Sequence, residues 1–125
     1  MWKIVKNFVG TDLSKVCLPV VMCEPVNTLQ KSAEIMINYN LLQEAVKDVT
    51  ENTVEESCKR LALVSLMAIN QYSTAASRFK KPFNPILGET YEFVQKDWRY
   101  MSEQVSHHPP ITAYHCEGKG FSFSA

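Results

Sequence analysis

Apolar positions along this chain keep a helical spacing up to about residue 79 and a spacing of two after it. At the start, Trp2, Val5, Phe8 and Val9 share one helical face with Ile4 adjoining, while Lys3, Lys6 and Asn7 take the other, and Gly10 ends the pattern. This predicts a short amphipathic helix, either packed on its own domain or serving as a mobile lid or membrane-touching tip. Pro19 and Pro25 bracket a link that should run extended. Asn27 followed by Gln30 predicts a capped helix start. From there Ile35, Tyr39, Leu42 and Val46 step by helical intervals, with Leu29, Ala33 and Met36 alongside, and the helix should end near Asp48.

A second helix is expected from Thr50 or Thr53 to about Ala76, with Glu51, Glu55 and Glu56 near its positive end. Its middle, through Cys58, Leu61, Leu63, Val64, Leu66, Met67 and Ile69, is apolar on nearly every side, so it should be covered all round by a larger body. After the prolines at 82 and 85 the period becomes two. Tyr91 and Phe93, then Tyr100 onward, then Ile111 to Cys116, then Phe121 and Phe123 predict four short strands. Helices followed by consecutive strands give an α+β fold with an antiparallel meander. The last strand ends on FSFSA with phenylalanines at an edge, from which the sequence is expected to stop inside a larger sheet.

Composition narrows the function classes. With 125 residues the chain is one domain at most, and 13 basic residues balance 13 acidic ones, so no global field favours nucleic acid or an anionic membrane. Electrostatic recognition has to be local. Cys17, Cys23, Cys58 and Cys116 fall at irregular spacings without a CxxC pair, which suits reduced thiols in a cytosolic protein. The most apolar run, Leu61 to Ile69, is far short of the ~20 residues that a membrane span needs.

Two stretches carry the candidate chemistry, RFKKPFNPILGE and EQVSHHPP. Pro82 and Pro85 stiffen the first, so Lys80, Lys81 and Asn84 are expected on a rigid loop. In the second, regular alternation would put His107 and His108 on opposite faces, and both rings could meet one ligand only at a strand end or a bulge. Metal binding by His107, His108, His115, Cys116 or Glu103 fits no regular ligand spacing. Acid/base or nucleophilic chemistry at Ser106 lacks a GxSxG turn and an obvious acidic orienter. A phosphate suits an imidazole pair, a placed lysine and exposed backbone amides. The remaining reading makes the histidines hydrogen-bonded fixtures of a strand end.

EQVSHHPP resembles the fingerprint of the oxysterol-binding protein family, KKPFNPILGE resembles its second hallmark, and the opening through Glu34 is similar to the start of the same lipid-binding domain. The resemblance covers essentially the whole chain and roughly the first third of the family domain. It implies a non-enzymatic lipid-transfer module, without cofactor or metal, built as a large β-barrel whose tunnel holds a sterol, oxysterol or other lipid under an N-terminal lid. Many members also bind phosphatidylinositol 4-phosphate and exchange it for the other lipid between membranes. Carried onto this chain, the resemblance implies that His107, His108 and Lys81 contact the headgroup phosphate. Backbone at Leu87, Gly88 and Glu89 would line the mouth, Trp2, Ile4, Val5 and Phe8 would belong to the lid, and Gln71 and Tyr72 would line the sterol end. Residence is expected in the cytoplasm, peripheral to endoplasmic reticulum or endosomal membrane contacts, with lipids as ligands and no nucleic acid.

The 37 residues after Gly88 make about four strands at ~5 to 6 residues each, whereas enclosing a ligand takes about eight. The chain by itself is therefore expected not to close such a barrel. An alternative follows from the same features: a short interaction or interfering form that binds a protein partner through its apolar helices and open sheet edge.

Overall fold

Asn27 is where an extended segment turns into the first helix. Its side chain accepts from the Gln30 amide at 2.9 Å, and the Gln30 side chain accepts from the Asn27 amide at 2.9 Å, the reciprocal cap that the sequence predicts. The structure, a computed structural model, describes residue 6, residues 9–10, 19–47 and 53–125. The lid residues Trp2, Ile4, Val5 and Phe8 lie outside the described residues, as do Cys17, Asp48, Thr50 and Glu51.

The helix that starts at Asn27 is not continuous. It divides into α1 (Thr28–Ser32), a 3₁₀ segment (Ala33–Asn38) and α2 (Asn40–Val46). Ser32 bonds back to the Leu29 carbonyl at 2.8 Å, and β-branched Ile35 and Ile37 with Asn38 and Asn40 weaken a plain α-helix there. Three residues per turn instead of 3.6 shifts the phase of the apolar stripe. Leu29, Ala33, Ile35, Met36 and Leu42 are buried as expected, but Val46 is rotated out and exposed.

α3 (Val54–Asn70) starts at Thr53, whose hydroxyl accepts from the Glu56 amide at 3.2 Å, with Glu55 and Glu56 in the first turn. It ends at Asn70 rather than Ala76: the chain continues in backbone turns, with the Ser77 hydroxyl bonded to the Thr74 carbonyl at 2.9 Å and the Thr74 hydroxyl donating away to Glu34 at 2.9 Å. Met67 is buried in the core cluster with Ala33, Ile35, Met36 and Leu42, while Leu61, Val64, Leu66 and Ile69 stand exposed. Full cover of this helix, expected from its composition, is therefore not provided by the described residues.

Two strands were invisible in the sequence pattern. β1 (Cys23–Asn27) pairs in parallel with β2 (Lys81–Phe83), with Cys23 opposite Lys81 and Asn27 opposite Phe83. The link after Pro19 and the proline loop are thus strand in part, and Lys81 stands in β2 rather than on a loop. Both strands are too short for alternation to register, and each carries a proline, which edge strands such as those of this two-stranded sheet tolerate. Arg78, just before β2, pairs with Glu24 at 3.2 Å and with Glu34, all three largely buried, which fastens this corner to the helices.

The remaining strands, β3 (Thr90–Val94), β4 (Trp98–His107), β5 (Pro110–Gly118) and β6 (Phe121–Ser124), pair antiparallel in chain order. The fold is α+β with an antiparallel meander, as the period change predicts. Along β4, Trp98, Tyr100, Ser102 and Gln104 are buried and the residues between them exposed, so one face of the sheet packs on the helices. Tyr39 lies on Trp98 with ring centres 5.9 Å apart, and Cys116 Sγ sits 3.5 Å from Met36 Sδ. β3 and β6 each pair on one side only, so the sheet is open. Among the described residues no helix is long and apolar enough to cross a membrane.

Candidate functional site

β4 carries the histidines, and its regular alternation stops just before them. Gln104 pairs with Thr112 and Ser106 with Ile111, so Val105 is an extra residue, a β-bulge. The bulge turns Ser106 away from the face that Gln104 occupies and brings His107 back to it, opposite Pro110. His107 is half-buried as a result, and its Nδ1 is buried without a hydrogen-bond partner. His108 stands exposed in the turn to β5, across a cis bond to Pro109. The two rings meet edge-on, 4.7 Å between centres and 71° between planes. Both imidazoles can therefore face one ligand, the condition that alternation alone forbids.

The segment Leu87 to Glu89 runs beside the same strand. The Gly88 amide donates to the Gln104 carbonyl at 2.9 Å, and the Gln104 amide donates to the Glu89 carbonyl at 3.0 Å. Gly88 has a φ of +78°, a left-handed conformation that glycine adopts at no steric cost. Gln104 is almost fully buried; its Oε1 accepts from the Thr112 hydroxyl at 2.9 Å while its Nε2 has no partner. Two unspent polar nitrogens thus lie three residues apart on β4, on the same face.

Lys81 lies on the other sheet. That sheet is tied to the histidine strand through Asn27 and Glu89: Asn27 Nδ2 donates to Glu89 Oε1 at 2.6 Å, and the Ile86 amide donates to Glu89 Oε2 at 2.9 Å. Sequence reasoning found the cap at Asn27 and the backbone at Glu89, but not the bond between them, which spans 62 positions. Gln71 and Tyr72 stand exposed in the turn after α3, away from any enclosing apolar wall among the described residues. No three of His, Cys, Asp and Glu among the described residues stand close enough to hold a metal ion. An imidazole pair with an open valence suits hydrogen bonding to an oxyanion, whereas the Gly88 and Glu89 amides, expected to be exposed, are already given to the Gln104 and Ile86 carbonyls.

A sequence profile described as Oxysterol-binding protein matches residues 1–125. The chain is 47% identical to human oxysterol-binding protein-related protein 6 over 98% of its own length, and 44% identical to oxysterol-binding protein-related protein 2B of Arabidopsis thaliana. It spans 13% and 18% of those relatives. Among solved structures it is similar to the Osh1 ORD domain in complex with cholesterol, with a TM-score of 0.84 at 38% identity, covering 99% of this chain and 29% of that one. It is also similar to the Osh3 ORD of Saccharomyces cerevisiae in complex with PI(4)P, with a TM-score of 0.78 at 31% identity, covering 99% of this chain and 32% of that one.

Proposed function

The chain belongs to the oxysterol-binding protein family, and from that membership and the histidine geometry we propose that it forms part of a non-enzymatic lipid-transfer module that grips the phosphate of phosphatidylinositol 4-phosphate. The observation that carries this reading is the edge-on pair of His107 and His108, with His107 Nδ1 buried and unbonded. In it, the imidazoles and the Lys81 ammonium bond the phosphate oxygens, and the backbone at Leu87, Gly88 and Glu89 lines the approach. A sterol or other lipid is the exchanged ligand, with Gln71 and Tyr72 at its end of the tunnel and the segment from Trp2 to Phe8 as its cover. The relatives solved with cholesterol and with PI(4)P support both ligand classes. Action at the cytoplasmic surface of endoplasmic reticulum or endosomal membranes belongs to the same proposal.

The test is binding of the complete lipid-binding domain that contains this chain to vesicles with and without phosphatidylinositol 4-phosphate, with inorganic phosphate as competitor. Saturable binding that is lost in His107→Ala/His108→Ala, with sterol uptake from the same vesicles retained, is the expected result. Competition by phosphate at equal concentration would reassign the site to a free anion. Equal loss of both lipids in the variant would make the histidines fixtures of the fold.

A second reading is favoured by the exposed Leu61, Val64, Leu66 and Ile69 on α3 and by the open strands β3 and β6. It makes the chain an interaction module for a protein partner. A monodisperse monomer in sedimentation that binds lipid vesicles would count against it.

A further inference from the structure

We propose that Asn27 is a positioning residue that holds the strand of Lys81 against the strand end of His107 and His108 through its hydrogen bond to Glu89, a role that rests on the headgroup reading above. Three separate observations meet at this side chain. Its carbonyl oxygen caps α1 by accepting from Gln30. Its backbone stands opposite Phe83 in the β1–β2 register, two residues from Lys81. Its amide nitrogen donates to Glu89 at 2.6 Å.

Glu89 passes the constraint on. Its second carboxylate oxygen takes the Ile86 amide, which closes the turn before β3. Its carbonyl and the Gly88 amide pair with Gln104, three residues before His107. A run of hydrogen bonds therefore leads from the β1–β2 pair, through Asn27 and Glu89, to Gln104 on β4, three residues before His107. A groove lined by Pro25, Val26, Asn27, Phe83, Asn84 and Glu89 lies along this junction, so the bond sits at the boundary between the two sheets rather than deep in either. A charge-assisted bond suits this place, because it is shorter and stronger than a neutral one.

Capping and positioning can be separated by chemistry. Asn27→Asp keeps an oxygen that caps the helix, yet it removes the donor to Glu89 and sets two carboxylates against each other. Asn27→Asp/Glu89→Gln reverses donor and acceptor: the new glutamine nitrogen donates to the aspartate, its oxygen still takes the Ile86 amide, and net charge is unchanged. Gln30→Leu weakens the cap without touching Glu89.

The experiment measures binding of the complete lipid-binding domain that contains this chain, and of these three variants in it, to vesicles containing phosphatidylinositol 4-phosphate, with thermal midpoints alongside. Expected are a roughly tenfold loss of affinity in Asn27→Asp, recovery in the swapped pair, and a lowered midpoint with unchanged affinity in Gln30→Leu. Affinity that follows the thermal midpoint across all three variants, without recovery in the swap, would overturn the positioning role and leave the headgroup site standing. Absence of phosphoinositide binding in the unaltered domain would remove the headgroup site and the positioning role together.

Discussion

The phenol of Tyr100 reaches the hydroxyl of Ser32 at 2.7 Å, across the seam between sheet and helices. Ser32 gives its own proton to the Leu29 carbonyl, so the phenol is the donor. Tyr100 is fully buried. Tyr100→Phe keeps the ring and removes the donor, and should cost about 1 kcal/mol. Tyr100→Ala also opens a cavity and should cost about 3–5 kcal/mol. Urea unfolding of the two variants separates the contributions; equal costs would mean that the hydroxyl, not the ring, holds the seam.

A Cβ built on Gly118 would meet the ring of Phe121, its cross-strand partner, at 2.3 Å. Gly118→Ala should therefore push the ring off the strand and destabilise the β5–β6 hairpin by about 1–3 kcal/mol. Phe121→Leu frees that space, so the double variant should cost less than the sum of the single ones. Additive costs in a double-mutant cycle would show that the ring does not depend on the glycine.

Burial pushes the Cys116 thiol up to about 11 and raises the Tyr100 phenol in the same direction, burial again being the main cause. A folded-state pKa above the unfolded one means that the folded chain holds its proton more tightly. Its stability contribution is complete below the unfolded value and is lost as pH rises toward the folded one. Stability should fall between about pH 8.5, where a free thiol ionises, and about 11. Cys116→Ala should flatten that fall, and alkylation at pH 8 should reach exposed Cys58 well before Cys116. An unchanged slope in the variant would assign the alkaline loss to other groups.

The meander and the cap at Asn27 were legible in the sequence because both are local patterns: alternation along β4 and a side chain bonding three residues on. Val46 departs from the apolar stripe because a 3₁₀ stretch changes the period upstream of it. The strand that holds Lys81 has no local signal, because β1 and β2 are joined by partners more than fifty residues apart and each contains a proline. The histidine pair was legible as residues but not as geometry. Val105 adds one residue to β4, and only the β5 register reveals that it returns His107 to the face of Gln104. The bond from Asn27 to Glu89 has no local signal at all, since each residue already serves a nearby backbone group.

Lys81 supplies the last test of the headgroup site. It is half-buried on β2, so its ammonium is held by a strand rather than carried on a free arm. A strand-held charge loses little freedom on meeting a phosphate, and partial burial limits screening by salt. Lys81→Ala should then weaken binding to phosphatidylinositol 4-phosphate vesicles by about ten- to a hundredfold, and the salt dependence of binding should become shallower. Lys81→Arg keeps the charge but spreads it over a planar group, so it should restore part of the affinity and most of the salt dependence. Titrations at two ionic strengths read both quantities. An alanine variant with weaker binding but an unaltered salt slope would mean that Lys81 shapes the β1–β2 corner instead of touching the phosphate.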